Sequence, residues 1–222
     1  MQCAIIMAAV TILAIIGATQ PDTDPWSKSQ PSALTIVSKS SICTAISSNH
    51  VTWLKVLLIA GADPNVGQVW FGGLSHTRPL ELAIDNTNTG KSQAMVKLLL
   101  DAGANPYICN VAGKPILFTA IGNGNSGAVQ HLLEHGVSPH TVGYDMGLAA
   151  SYTPLAIAAS EGYPEIVQLL LRHGADPTVG INWVFGLLQR SPRQVAISAG
   201  HTFVARNLHN AERRWGRQQS LF

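Results

Sequence analysis

Apolar positions along this chain fall again and again into the same two-part pattern. In the clearest copy, Leu155 and the small Ala156, Ala158 and Ala159 form a narrow apolar face, Glu161-Gly162 interrupts it, and Ile166, Val167, Leu169, Leu170 and Leu171 resume it. Recurrence at three- and four-residue intervals predicts two amphipathic helices joined by a tight turn. Thr153 is placed to cap the first, with Pro154 at the first helical position, where its missing N–H costs nothing. The second ends at Gly174, which can adopt the left-handed conformation without a Cβ penalty. Four such helices close on Gly, a small residue, Asp/Asn/Ser and Pro: Gly61-Ala-Asp-Pro64, Gly103-Ala-Asn-Pro106, Gly136-Val-Ser-Pro139 and Gly174-Ala-Asp-Pro177.

These closures serve as rulers. From the predicted helix start to the closing Gly there are 20 positions from Ser41 to Gly61, 21 from Pro115 to Gly136 and 20 from Pro154 to Gly174. Pro79 to Gly103 takes 24, which places an insertion of four residues around Asp85-Asn-Thr-Asn-Thr-Gly-Lys91, between the two helices. A fifth copy starts at Ser191-Pro192, runs through Ala196, Gly200-His201, Val204 and Leu208, and lacks the closure. The Leu170-Leu171 pair recurs as Leu57-Leu58, Leu99-Leu100 and Leu132-Leu133, and so marks the shared core. Self-similarity at this period means that no single unit buries its own apolar face and that stability comes from stacking.

The segment Tyr152 to Pro177 resembles the ankyrin repeat along its full length, and the resemblance covers about five repeats in residues 38–215. It implies an all-α fold, an ankyrin-repeat solenoid of stacked helix-turn-helix units with projecting β-hairpin loops. It also implies a binding surface and no catalytic pocket. The connections between repeats are the informative departures. Asn65 to Pro79, His140 to Pro154 and Thr178 to Pro192 each take 14 positions, whereas Tyr107 to Pro115 takes 8. The three long connections are alike: Val66-Gly-Gln-Val-Trp-Phe-Gly-Gly-Leu74, Val142-Gly-Tyr-Asp-Met-Gly-Leu148 and Val179-Gly-Ile-Asn-Trp-Val-Phe-Gly-Leu187. In the resembled family such hairpins form fingers along the concave side, the usual partner surface. Trp70, Phe71, Tyr144, Met146, Trp183 and Phe185 are therefore the expected partner-binding residues, since Trp and Tyr bury much area at little rotamer cost. The competing reading folds these side chains back as a satellite core beneath their own hairpins.

The ends of the chain differ from the array. Ala4 to Ala18 is apolar apart from Thr11, too short to span a bilayer comfortably, and is followed by the breaker-rich Gly17-Ala-Thr-Gln-Pro-Asp-Thr-Asp-Pro25. Residues 1–19 read as a signal peptide, 20–37 as a polar linker and 216–222 as a C-terminal tail. Two features keep a rival open: no Lys or Arg precedes the apolar run, and Ile15-Ile-Gly-Ala18 resembles Ile59-Ala-Gly-Ala62, which would make it part of a degenerate leading repeat. The first reading implies export, periplasmic or secreted, with no stable membrane span after cleavage; the second a cytoplasmic scaffold or host-directed effector. Cys43 and Cys109, two repeats apart, are expected to lie beyond the ~7 Å Cα separation that a disulfide tolerates. A formal charge of +2 with 12% charged residues gives no footprint for nucleic acid, and the cluster Arg206, Arg213, Arg214 and Arg217 reads as the solvated face of a terminal helix.

Two motifs imitate chemistry. Gly122-Asn-Gly-Asn-Ser-Gly127 spells the dinucleotide fingerprint but lies between two predicted helices, without the strand that must feed it. His131-Leu-Leu-Glu-His135 spells a zinc-peptidase arrangement, yet His131 stands at the repeat position of Leu169 and Leu98, no third ligand is indicated, and His173 repeats His135. No catalytic, cofactor-binding or metal-binding residues are assigned, and no cofactor is expected. The expectation is a non-enzymatic module that binds another protein, with a protective or toxin-neutralising role suggested by exported arrays of this size. A metal-dependent hydrolase using His131, Glu134 and His135 is the remote alternative.

Overall fold

The computed structural model describes residues 42–70, 75–86, 89–110, 112–145, 150–183 and 188–219. The chain divides into two compact units, Met1–Ala104 and Asn105–Phe222. In the first, helical residues 42–47 (α1) lead to α2 (Val51–Ile59), a hairpin of β1 (Gln68–Trp70) and β2 (Ser75–Thr77), then α3 (Pro79–Asp85) and α4 (Thr89–Asp101). In the second come α5 (Ile116–Gly122), α6 (Ser126–Glu134), β3 (Gly143–Asp145), β4 (Ala150–Tyr152), α7 (Pro154–Glu161), α8 (Pro164–Arg172), β5 (Ile181–Trp183), β6 (Leu188–Arg190), α9 (Pro192–Ser198) and α10 (Thr202–Gln219). The helix-turn-helix units joined by short hairpins are those the sequence predicts.

The chemistry of the closing motif explains its spelling. Each closing Gly has φ of 87° to 89°, in the left-handed region. Its N–H donates to the second Leu of the pair, and the N–H of the next residue donates to the first, as in Ala175 to Leu170 and Val137 to Leu132, at 2.9–3.1 Å. This double bond to the last carbonyls of the helix is the Schellman arrangement. The third residue then receives the chain: Asp63 accepts from the N–H of Asn65, Asn105 from Tyr107, Ser138 from His140 and Asp176 from Thr178, at 2.8–3.1 Å. A short side chain with an oxygen acceptor is needed there, and Pro between donor and acceptor presets the turn. Gly and the Asp/Asn/Ser position are thus each fixed by backbone groups that would otherwise lack a partner.

A second recurring bond ties the two helices of a unit. The N–H of His50, Asn125, Tyr163 and His201 donates to the carbonyl of a buried Ala five residues earlier, namely Ala45, Ala120, Ala158 and Ala196, at 2.8–3.1 Å. The residue before each donor is left-handed: Asn49, Gly124, Gly162 and Gly200. At Gly162 a Cβ would also run into the ring of His201, so the position needs Gly for both reasons. The four inserted residues of the second repeat do not form a longer turn, as the sequence suggested. They lengthen the outer helix: α4 has 13 residues where α2, α6 and α8 have 9. Ser92, which by the ruler occupies the site of His50, is therefore inside a helix, and its hydroxyl donates to the carbonyl of Ala83 at 2.6 Å. Here a side-chain hydroxyl is the donor where the other repeats use a backbone N–H.

Within the second unit the first helices α5, α7 and α9 pack in sequence, as do the second helices α6, α8 and α10. The core follows the Leu ruler, with one correction. The first Leu of the pair is buried in every copy, at Leu57, Leu99, Leu132 and Leu170, and again at Leu208. The second is buried at Leu100 and Leu133 but only half-buried at Leu58 and Leu171. Two expected boundaries also move. Thr153 caps its helix as read from the sequence, and Ser191, where the fifth copy starts, caps α9; Pro115 is itself the N-cap of α5, not its first helical residue. And α10 runs without a break through position 215 to Gln219.

Candidate functional site

Six extra residues in a connection are enough for two short strands and the segment between them, and this is where they go. In the first unit β1 pairs with β2. In the second, the two long hairpins merge into one antiparallel sheet of order β3-β4-β5-β6, with β4 bonded to β5 across the boundary between repeats. The short connection Tyr107 to Pro115 carries a single bridge, Cys109 with Pro115. Shared hydrogen bonds make two of the expected fingers a single ledge.

Register arranges the ledge in rows. Tyr144, Ser151, Asn182 and Gln189 lie opposite one another across four strands, and strand alternation puts them on one face. Tyr144 is 72% exposed on this row. The next row leads inward at Ala150, which is buried. Tyr152 meets Phe118 edge-on at 5.2 Å, and the Lys114 ammonium lies about 6 Å from both rings. That pair anchors the sheet on α5, so a Tyr in a hairpin here has two possible fates, and register decides which.

Of the residues expected to bind a partner, Tyr144 is thus at the surface. Trp70 ends β1 opposite Ser75, and Trp183 ends β5 between Ala150 and Leu188. Phe71, Met146 and Phe185 lie outside the described residues, as does the whole of residues 1–41. At the base of the second-unit hairpins the chain forms a pocket of about 340 Å3, lined by Pro139, Val142, Leu155, Val179 and Trp215 among others. Val142 and Val179, 41% and 37% exposed, were visible in the hairpin strings as the Val before each Gly. Trp215 carried no signal, because it comes from a part of α10 that has no counterpart in the other repeats.

The enzyme-like motifs resolve into helix ends. Gly122 to Gly127 is the turn from α5 to α6, where Asn125 is a buried N-cap accepting from the N–H of Ala128 at 3.0 Å. His131 Nδ1 lies 3.1 Å from Glu134 Oε2. Hydrogen bonds from Gln130 and then His131 hold the Glu134 carboxyl below its usual range. His135 turns its Nδ1 to the carbonyl of His131 at 2.8 Å, as His173 does to Leu169 at 2.9 Å. Among the described residues no group of three or more His, Cys, Asp and Glu side chains could hold a metal ion, and no helix is long and apolar enough to cross a membrane. Cys43 is buried, which pushes its thiol pKa up, and Cys109 is exposed; both are free thiols. The four arginines of the terminal cluster are exposed along α10.

Paired helices, left-handed Gly closures and a hairpin ledge define a helical repeat scaffold that works through its surface. Residues 80–181 match the family model for ankyrin repeats in three copies. Residues 80–181 of the chain are thus built of ankyrin repeats. Among curated relatives it is 33% identical over 135 residues to the Putative ankyrin repeat protein YahD of Escherichia coli K12, a match covering 58% of this chain and 60% of that protein. It is 26% identical over 155 residues to the Glycerophosphocholine phosphodiesterase gde1 of Schizosaccharomyces pombe, covering 70% of this chain and 13% of that enzyme. The chain thus spans less than two thirds of either relative. Ankyrin repeats are protein-binding scaffolds and typically non-enzymatic.

Proposed function

We propose that this chain binds another protein through its long hairpins, with Trp70 and Phe71 in the first unit and Tyr144, Met146, Trp183 and Phe185 in the second as its contact residues. The observation that carries this reading is the exposed row headed by Tyr144 on a four-stranded sheet anchored from beneath through Tyr152 and Phe118. A rigid platform presents an aromatic side chain without the entropy cost of ordering a loop on contact. The pocket between Val142, Leu155 and Val179 offers an adjoining recess for an apolar partner side chain. Capture of a partner by wild type and by a Trp70→Ala, Tyr144→Ala, Trp183→Ala variant is the test. Reduced recovery by the variant is expected, and equal recovery would remove the ledge from the account.

The same proposal has the chain exported, with residues 1–19 removed and the array acting outside the cytoplasm in a protective or toxin-neutralising role. Its support is the apolar run from Ala4 to Ala18 and the polar, breaker-rich stretch behind it. N-terminal sequencing of the mature protein separates this from the cytoplasmic reading, for which an intact Met1 in a soluble cytosolic fraction is the expected result.

A further inference from the structure

The fifth repeat has no closing motif, and the consequence is a second recess, which meets the pocket at the hairpin base at Ala175 and Trp215. Where the ruler would place a closing Gly, at Glu212, the helix continues, so α10 has 18 residues against 9 in α8. Its additional turns run beside the end of α8 and the Gly174-to-Pro177 turn, and a groove of about 580 Å3 opens between them. Gln168, Leu171 and Arg172 line one wall; Asn207, Arg214 and Trp215 line the other. This groove explains why Leu171 is only half-buried although its equivalents Leu100 and Leu133 are not exposed.

We propose that this groove receives an extended acidic segment of a partner protein. Charge is the first argument: the lining contains two arginines and no Asp or Glu, and among the described residues neither Arg172 nor Arg214 is paired with a carboxylate. The α8 C-terminus would by itself repel an anion, but its last carbonyls are occupied. Leu169 accepts from both the N–H and the ring of His173, Leu171 from Gly174 and Leu170 from Ala175. Against the two arginines stands one neighbouring carboxylate, Asp176, whose Oδ1 accepts from the N–H and hydroxyl of Thr178, so the balance at the groove is positive. The second argument is the polar lining: Gln168, Asn207, Asn210 and Gln218 supply side-chain amides that can pair with the main chain of an extended peptide. The third is the apolar share of the lining, Leu171, Ala175, Pro177 and Trp215, which suits side chains alternating with the carboxylates. A polyanion such as nucleic acid would need a longer run of cations than two.

The test measures binding of a labelled peptide of about eight residues, alternating Glu and Leu, to the full chain by fluorescence anisotropy, beside a twin with Lys for Glu. The Glu peptide should bind and weaken with added salt, and the Lys twin should not bind. Arg172→Gln with Arg214→Gln should raise the Kd about tenfold or more, the scale of losing charge-assisted hydrogen bonds. Gln168→Glu, which adds a carboxylate and removes no arginine, should weaken binding as well. Both sets of positions are at the surface, so circular dichroism should show an unchanged fold. Absence of binding, equal affinity for the arginine variant, or arginine-dependent binding of a heparin oligosaccharide but not of the peptide would each overturn the proposal. The Trp70→Ala, Tyr144→Ala, Trp183→Ala variant should bind the peptide normally, which keeps this groove distinct from the hairpin ledge.

Discussion

The Leu pair shows how far one residue's cost depends on what surrounds it. Leu170 is fully buried and its carbonyl closes the helix, while Leu171, one step on, borders the groove against α10. Leu170→Ala should cost about 2–5 kcal/mol and Leu171→Ala clearly less, because a half-exposed site gives up less transfer energy and leaves no sealed cavity. Chemical denaturation of the two variants decides it, and equal losses would mean that the groove is closed in solution. Glu81 gives a pH-dependent counterpart. Burial raises its carboxyl pKa above the usual value, Asp85 acts in the same sense, and the N–H and charge of Arg78 oppose them. Folding therefore favours the protonated form: its contribution is fully present below the unfolded-state pKa and is lost as pH rises through the folded-state pKa. Glu81→Gln should flatten that fall and raise the melting temperature at neutral pH relative to wild type.

Elements were legible wherever a rule of spacing governed them. The cap at Thr153, closures at four Gly residues and the six-residue surplus in three connections all follow from groups that must find partners within a few positions. What spacing cannot convey is a contact between connections. The bond between β4 and β5, which turns two hairpins into one sheet, joins residues about thirty apart and leaves no mark on either string. The same holds for Trp215 and for Tyr152 against Phe118. The insertion in the second repeat was counted correctly and shaped wrongly, because a four-residue insertion is close to one helical turn and extends α4 without altering which side faces inward. At the ruler position where the other repeats use a backbone N–H, the hydroxyl of Ser92 is the donor to Ala83. Ser92→Ala should then destabilise the chain by about 1–3 kcal/mol, the price of an unmet buried carbonyl. Ala120 and Ala158 accept from backbone, so Asn125→Ala and Tyr163→Ala leave their carbonyls satisfied. Hydrogen exchange in α3 and α4 should rise in the Ser92 variant alone.

In the whole molecule, a position's meaning changes with its place in the array. The residue after the accepting Ala is Ile46, Ile84, Ile121, Ala159 and Ile197 in the five copies, and the first four are at most 1% exposed. Ile197 is 56% exposed. Local backbone is the same; what differs is that none of the described residues covers Ile197 as the other four are covered. Trp53 repeats the lesson at the other end of the described repeats: it is 39% exposed at the position where Met95, Ala128, Ile166 and Val204 are buried. In a solenoid, stability is a sum over units and the interfaces between neighbours, so an end position lacks one interface term. The same substitution should therefore read differently along the chain. Ile121→Gln buries an amide without a partner and removes core packing, and should cost several kcal/mol, on the order of 3 or more. Ile197→Gln should stay within about 0.5 kcal/mol of wild type, the range of ordinary surface changes. Urea denaturation of both variants measures the contrast. A large loss at Ile197 would show that in solution this end of the array is covered, by a second copy or by another segment of the chain, and dilution over a hundredfold range would tell those two apart, since only the first depends on concentration.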